Sequence, residues 1–428
     1  MRWCVPLMVF LFLMATSTRS GDIWLDAPTA NPGKDRVIVS SKTVDKRVTG
    51  LRINKPEKTF KGYTLLVPLL SQPSFTGGLS PVDLVDMDGL TIHRWLVADP
   101  PPSLGRLSDN GTLFLATQMS GMESPGQMSG LKELDAESNE LFLSPGVFEN
   151  EFYLIDNDTF VVTYKDTIPT PPGSPFPLGS MSAPRIDIIT KDGRTLWQWK
   201  GEDHLKELVS LSGFHDVFTV FRESQWQESA SGDFANGLYY EGEDWAHNNT
   251  AMILGPNPLE ANDPRFKSGN ILFCFCGVDT IGIIEYPSGR IIWAWGPGEL
   301  ENPHTPRMID NGNILIFDNG AKRKWSRVIE IDPVAGNIVW EYHSWPKNDF
   351  FSVNLCNAER LPNGNTLICE GLSERVFEVT PKGEIVWDYI STYARLMGGL
   401  GMKRAFRYPP GYVAPLLEAK GHDPKAIR

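Results

Sequence analysis

Cysteine is scarce in this chain. Five occur in 428 residues and none stands in a CxxC pair. That excludes a zinc ribbon and a dithiol redox motif. Positive charge is in deficit: 40 Lys and Arg against 52 Asp and Glu give a net charge of −12. A balance of this sign argues against non-specific binding to nucleic acid or to an anionic membrane. It leaves an anionic small substrate open, because a few local cations can dominate one pocket. Long apolar runs are missing too. The one at the N-terminus, Val5 to Ala15, is too short to span a bilayer. Arg2 before it and Thr18 and Ser20 after it complete the pattern of a secretory signal. The expectation is a signal over residues 1–20, cleavage before Gly21, and a secreted or periplasmic protein, with an uncleaved anchor as the alternative. Export permits disulfides. Cys274 and Cys276 are one residue apart on a strand and point to opposite faces. Cys356 and Cys369 flank a hairpin and either pair or stay as buried thiols.

What the chain has in plenty is a repeated phrase. LVDMDGLTIHRW ends at Trp95, IDIITKDGRTLWQW at Trp199, IIEYPSGRIIWAW at Trp295, IEIDPVAGNIVWEY at Tyr342 and FEVTPKGEIVWDY at Tyr389. Trp293, Trp340 and Trp387 follow one another at 47 residues. A second phrase, seen in LSDNGTLFLA, IDNGNILIFD and LPNGNTLICE, keeps the same time. Short strands with NG and DG turns at this period mean one β-propeller blade per repeat. The reading is all-β, with a signal over 1–20, an N-terminal strand and linker over 21–60, a propeller over 61–395 and a C-terminal tail over 396–428. Six blades are expected, or seven if the N-terminal segment closes another. Two long gaps between copies are filled by degenerate blades near 151–166 and 214–221. Inserts over 117–148, 167–182 and 222–262 read as loops, and the stretch after Tyr393 as a cover strand or tail on the last blade. Tryptophan-rich propeller repeats also suggest a quinone-dependent dehydrogenase, but no adjacent cysteine pair or set of metal-binding acids supports it.

A propeller puts its chemistry at one end of a channel. Of seven histidines, His215, His247 and His304 each stand just before an apolar strand. Equivalent strand starts converge on one mouth, although turn or core histidines give the same pattern. Asp244 is spaced to orient His247. Asn248, Asn249 and Thr305 are candidate donors to an oxyanion. His93, His204 and His343 read as surface groups, and Arg307 faces either channel or solvent. Asn110, Asn157 and Asn248 head glycosylation sequons.

The phrases DWAHNNTAMIL, GNILFCFCGVDTIGIIEYPSGRIIWAWG, PHTPRMIDNGNILIFDNG and LPNGNTLICEGLSERVFEVTPKGEIVWDY resemble the aryl-sulfate sulfotransferase superfamily of secreted β-propellers over about residues 240–395. The resemblance implies a ping-pong transfer of a sulfuryl group from an aryl sulfate to a phenol, without a nucleotide cofactor. It matches His304 to the nucleophile and His215 and His247 to oxyanion-binding histidines. In one departure, Cys276 stands where the family has an arginine. That implies a slower site, and a Cys276→Arg substitution that raises activity. The contrasting reading is a non-catalytic propeller that binds a ligand or protein through its channel face.

Overall fold

The computed structural model describes residues 36–42, 46, 48–70, 78–118, 127–169, 180–213, 244–393 and 399–420. The signal segment and His215 lie outside them. So does 214–221, expected to hold a degenerate blade.

Strands β1 (Val37–Lys42) and β2 (Gly50–Asn54) come first. Blade one begins with β3 (Tyr63–Leu70), β4 (Ser80–Val85) and β5 (Thr91–Val97). Seven strands follow in one continuous sheet: β6 (Pro102–Leu107), β7 (Leu113–Gln118), β8 (Gln127–Leu134), β9 (Glu140–Leu154), β10 (Thr159–Pro169), β11 (Ser180–Thr190) and β12 (Thr195–Lys200). This sheet is two blades in series. The first part of β9 pairs with β8 as the outer strand of blade two, and its end pairs with β10 as the inner strand of blade three. Helix α1 (Leu205–Ser212) leads towards blade four. That blade is β13 (Asn248–Ile253), β14 (Ile271–Phe275), β15 (Thr280–Ile284) and β16 (Ile291–Trp295). Blade five is β17 (Pro303–Met308), β18 (Ile314–Asp318), β19 (Arg327–Asp332) and β20 (Asn337–Trp345). Blade six is β21 (Cys356–Arg360), β22 (Thr366–Glu370), β23 (Arg375–Val379) and β24 (Ile385–Ile390). β25 (Gly399–Tyr408) and helix α2 (Pro410–Ala419) end the described chain.

The fold is therefore a six-bladed β-propeller among the described residues. The N-terminal segment builds no seventh blade there. β1 adds in parallel to the outer edge of blade five and β2 antiparallel to the outer edge of blade six. β25 is no cover on the last blade. It pairs with β3 as the innermost strand of blade one, so the two ends of the propeller close in one sheet. The expected loop insert over 117–148 holds strands β8 and β9, whose hairpin turns at the acidic stretch Asp135–Asn139. Its mixed composition hid the alternation. Between Trp199 and Trp295 the described residues carry a single blade.

The repeated tryptophans join blades. Trp95, Trp199, Trp293, Trp340 and Trp387 each send Nε1–H to a turn carbonyl of the next blade, at Asp135, Gly289, Pro333, Pro381 and Met87, over 2.8–3.2 Å. The outer strand thus buries its ring while its one polar atom is satisfied. Between blades two and three no such tryptophan stands among the described residues. Phe142 lies against the Lys191 ammonium instead, Lys191 pairs with Glu133, and a surface cleft of about 530 Å³ opens beside them.

Candidate active site at the channel mouth

The innermost strands β6, β9, β13, β17, β21 and β25 ring the channel. On β13 the register slips between Asn248 and Thr250, on β17 between His304 and Arg307, and on β25 between Met402 and Ala405. A bulge of this kind re-aims side chains that regular alternation would turn into the blade. The backbone follows suit: His247, Asn302 and Thr305 hold φ of 42°, 57° and 47°, a region non-glycine residues seldom occupy.

His304 lies on β17, 5% exposed. Its Nδ1 is 3.1 Å from the Asn302 carbonyl and 2.9 Å from Asn319 Oδ1. The Asn319 amide cannot be reversed, because its Nδ2 donates to the Ser352 carbonyl at 2.5 Å and to Cys356 Sγ at 3.1 Å. Both neighbours of Nδ1 are acceptors, so Nδ1 carries the proton and Nε2 the lone pair. Burial, then the positive charges of Arg404 and His247, push the His304 pKa down to about 3, against the hydrogen bonds that Nδ1 donates to its two carbonyl partners. The imidazole is neutral and nucleophilic at ordinary pH. Its supports are buried in turn. Asn302 N–H donates to Asp279 Oδ1 at 2.6 Å and its amide to the Val353 carbonyl at 2.6 Å. Burial raises the Asp279 pKa to about 7. Asp318, the neighbour of Asn319, accepts from the Glu301 N–H at 2.8 Å and from Arg327 at 2.7 Å.

His247 stands at the start of β13, on the adjacent blade. Asp244 takes its backbone N–H at 3.0 Å and pairs with its Nδ1 at 2.9 Å. Burial opposes the Asp244 charge, but the His247 hydrogen bond, the His247 charge and Lys165 outweigh it and hold the carboxyl below its usual range. Asn249 ties the two blades together, donating to the Pro303 carbonyl at 2.9 Å while its Oδ1 accepts from Thr250. Thr305 Oγ1 is buried with no hydrogen-bond partner among the described residues. The structure so brings His247, Asn249, His304 and Thr305 to one mouth; His215 is outside the described residues.

Other expectations are corrected. His93 and His343 are buried, the first edge-on to Trp95 and the second bonded to the Ser344 carbonyl. His204 stacks on Trp199. His93 and His343 are thus not surface groups, and His204 is half-buried. Asn248 is buried, so its sequon offers no glycan site on the folded protein. The four cysteines from Cys274 onward are free and buried. Cys276 follows β14 in a tight turn, fully buried, with its Sγ towards the His247 carbonyl at 3.4 Å. A bulkier arginine at this buried position presses on the loop that carries His247, which argues against a gain from Cys276→Arg.

The residues missed by the sequence are Asn319, Asn302 and Arg404. Asn319 sits in FDNG, a phrase that carries the family resemblance but does not read as a histidine clamp. Arg404 sits in RAFRYPPGY, read as tail, yet it is 2% exposed in the channel. It donates to the Lys403 carbonyl at 2.8 Å, to the Asn249 carbonyl at 3.5 Å and to Glu151 at 3.4 Å.

Comparison with known proteins gives the following. No curated protein matches the chain significantly. Solved structures with similar architecture include a protein of unknown function from Bacteroides caccae, at 11% identity and TM-score 0.48, covering 81% of this chain and 99% of that one. They include the β-propeller domain of Cps50 (Swd1) from Myceliophteria thermophila, at 11% identity and TM-score 0.41, covering 80% and 90%. AztD from Citrobacter koseri in its apo form matches at 10% identity and TM-score 0.39, covering 82% and 100%. A model of the arylsulfotransferase (ASST) family matches residues 157–392, a stretch that contains His247, Asn249, His304, Thr305 and Asn319. Matched over more than half of its length, the chain belongs to the arylsulfotransferase family.

Proposed function

We propose that this protein transfers a sulfuryl group from an aryl sulfate to a phenolic acceptor through His304. One observation carries the reading: a buried imidazole with its proton fixed on Nδ1 and its lone pair on Nε2. In the first half-reaction Nε2 forms a bond to sulfur as the sulfur–oxygen bond to the aryl group breaks. The electron pair leaves with the phenolate, which takes a proton from the His247 imidazolium. Asp244 supports that imidazolium. In the second half-reaction an incoming phenol gives its proton to His247, its oxygen attacks sulfur, and His304 is released. Atoms and protons balance without a nucleotide. Thr305 Oγ1 is the available neutral donor to a sulfuryl oxygen. Asn249 acts chiefly as the strut that fixes the His304 strand.

The test is intact-mass spectrometry after treatment with an aryl sulfate and no acceptor. One added sulfuryl group is expected in the wild type and none in His304→Ala, with the group discharged on addition of phenol. Absence of both adduct and phenol product across several donors refutes the reading and leaves a binding propeller. Export follows from the same proposal for the N-terminal segment. N-terminal sequencing of the secreted form should begin near Gly21, and recovery of Met1 counts against cleavage.

A further inference from the structure

Two arginines of the inner strands converge on one carboxylate. Arg106 on β6 pairs with Glu151 on β9. Arg404 on β25 reaches the other oxygen of the same carboxylate at 3.4 Å. No other carboxylate pairs with either arginine among the described residues, so two guanidiniums share one negative charge. Arg106 is the better placed of the two. It also donates to the Phe152 carbonyl at 3.0 Å and lies over the Phe406 ring. Arg404 makes one short hydrogen bond, to the Lys403 carbonyl, and two long ones. Two of its five N–H groups meet no acceptor among the described residues. A guanidinium that is buried, half-paired and short of acceptors is costly unless an anion completes it.

Its position says which anion. Arg404 lies where the register of β25 slips, the same device that re-aims Asn249 and Thr305. It touches the Asn249 carbonyl, and Asn249 in turn holds Pro303, the residue before His304. Its charge acts on His304 of blade five, Cys274 of blade four, and Cys356 and Cys369 of blade six. From blade one its guanidinium meets Asn249 of blade four and Glu151 of blade three, which places it inside the ring of inner strands.

We propose that Arg404 binds the oxygens of the sulfuryl group, in the donor and on His304, and is a second cationic residue of this active site beside His247. The proposal rests on the sulfuryl-transfer reading and adds to it a residue delivered by the last strand of the chain. In this role Arg404 exchanges no proton and forms no covalent bond. It supplies charge-assisted hydrogen bonds to oxygens that remain negative while sulfur passes from oxygen to nitrogen.

Two measurements on wild type, Arg404→Gln, Arg404→Lys and His304→Ala separate this proposal from the one beneath it. The first is the rate of sulfuryl labelling by an aryl sulfate. Arg404→Gln is expected to label about 10²–10³-fold more slowly. Arg404→Lys should fall between, since it keeps the charge but loses the fork. The second is stabilisation by inorganic sulfate in a thermal-shift titration, which needs no chemistry. Sulfate should raise the melting temperature of wild type and His304→Ala, and its apparent Kd should weaken at least about tenfold in Arg404→Gln, the loss of one charge-assisted contact. Labelling absent in wild type, with sulfate binding lost in Arg404→Gln, sinks the transfer reading and keeps the anion site. Equal labelling and equal sulfate binding in wild type and Arg404→Gln overturn the proposal. So does a wild type that sulfate does not stabilise. If Arg404→Gln fails to fold, Arg404→Lys decides, because a lysine that labels at the wild-type rate also overturns it.

Discussion

At the scale of single residues the clamp on His304 sets its tautomer. Asn319→Asp is nearly isosteric but puts a negative charge beside Nδ1. An opposite charge at that range raises a pKa by about 1–3 units, so the acid limb of the kcat/KM profile should move from about pH 3 towards neutrality. The new carboxylate also faces the Ser352 carbonyl, and the variant should melt lower. Asn319→Leu removes one of two acceptors and should cost about 10–100-fold in labelling rate with little change in KM. The same burial makes His304 a source of acid sensitivity. Its pKa is about 3 in the folded protein against an ordinary 6.5. Below pH 6.5 the unfolded chain takes up a proton that the folded one refuses until about pH 3. Stability therefore falls as pH drops through that window and is unaffected above it, by at most about 5 kcal/mol. In urea melts between pH 4 and 7, His304→Gln should flatten the pH dependence of the midpoint. An unchanged slope would show that the imidazole is solvated.

At the scale of elements the outer-strand tryptophans and the closing strand carry the ring. Trp387 is fully buried and donates to Met87 across the seam between blades six and one. Trp387→Phe should cost about 1 kcal/mol for the hydrogen bond, and Trp387→Ala about 3–5 kcal/mol with the cavity, read from denaturant midpoints. β25 docks through a close backbone approach at Gly371, where a Cβ would fall 1.9 Å from the Leu355 carbonyl oxygen and 2.1 Å from that of Met402. Gly371→Ala should loosen β25 and lower labelling together with melting temperature, whereas a change in rate alone would argue against the docking role. The tryptophan period was legible because each ring repeats one contact with the next blade. The outer strand of blade two was not. It lacks the tryptophan, and Phe142 with Lys191 gives no periodic signal. β25 was not legible because nothing in RAFRYPPGY names β3, its partner more than 300 residues earlier.

At the scale of the whole molecule, charge is divided between inside and outside. The chain carries −12 overall, while its channel holds two guanidiniums on one carboxylate. On the proposed function an anionic donor is repelled at long range and captured only at short range. Salt screens the first effect and leaves the buried second one nearly intact. Raising ionic strength from about 0.01 to 0.15 M should increase kcat/KM a few-fold, and a fall would show that attraction reaches well beyond the mouth. The sequence gives the sign of the outer field directly, and two of the three histidines expected at strand starts, His247 and His304, stand at the heads of β13 and β17. The inner charge was illegible because its members come from β6, β9 and β25, which composition alone does not bring together.

The closing strand has a consequence in time. Glu151, His247, His304 and Arg404 lie on four different blades, and the last to emerge from the ribosome is Arg404. Until β25 pairs with β3, blade one lacks its inner strand and the channel lacks one wall. Long-range pairings of this kind form late. On the proposed mechanism the nascent chain can therefore hold His247 and His304 and still be inert, with reactivity arriving at the final pairing, after the remainder of the propeller has been made.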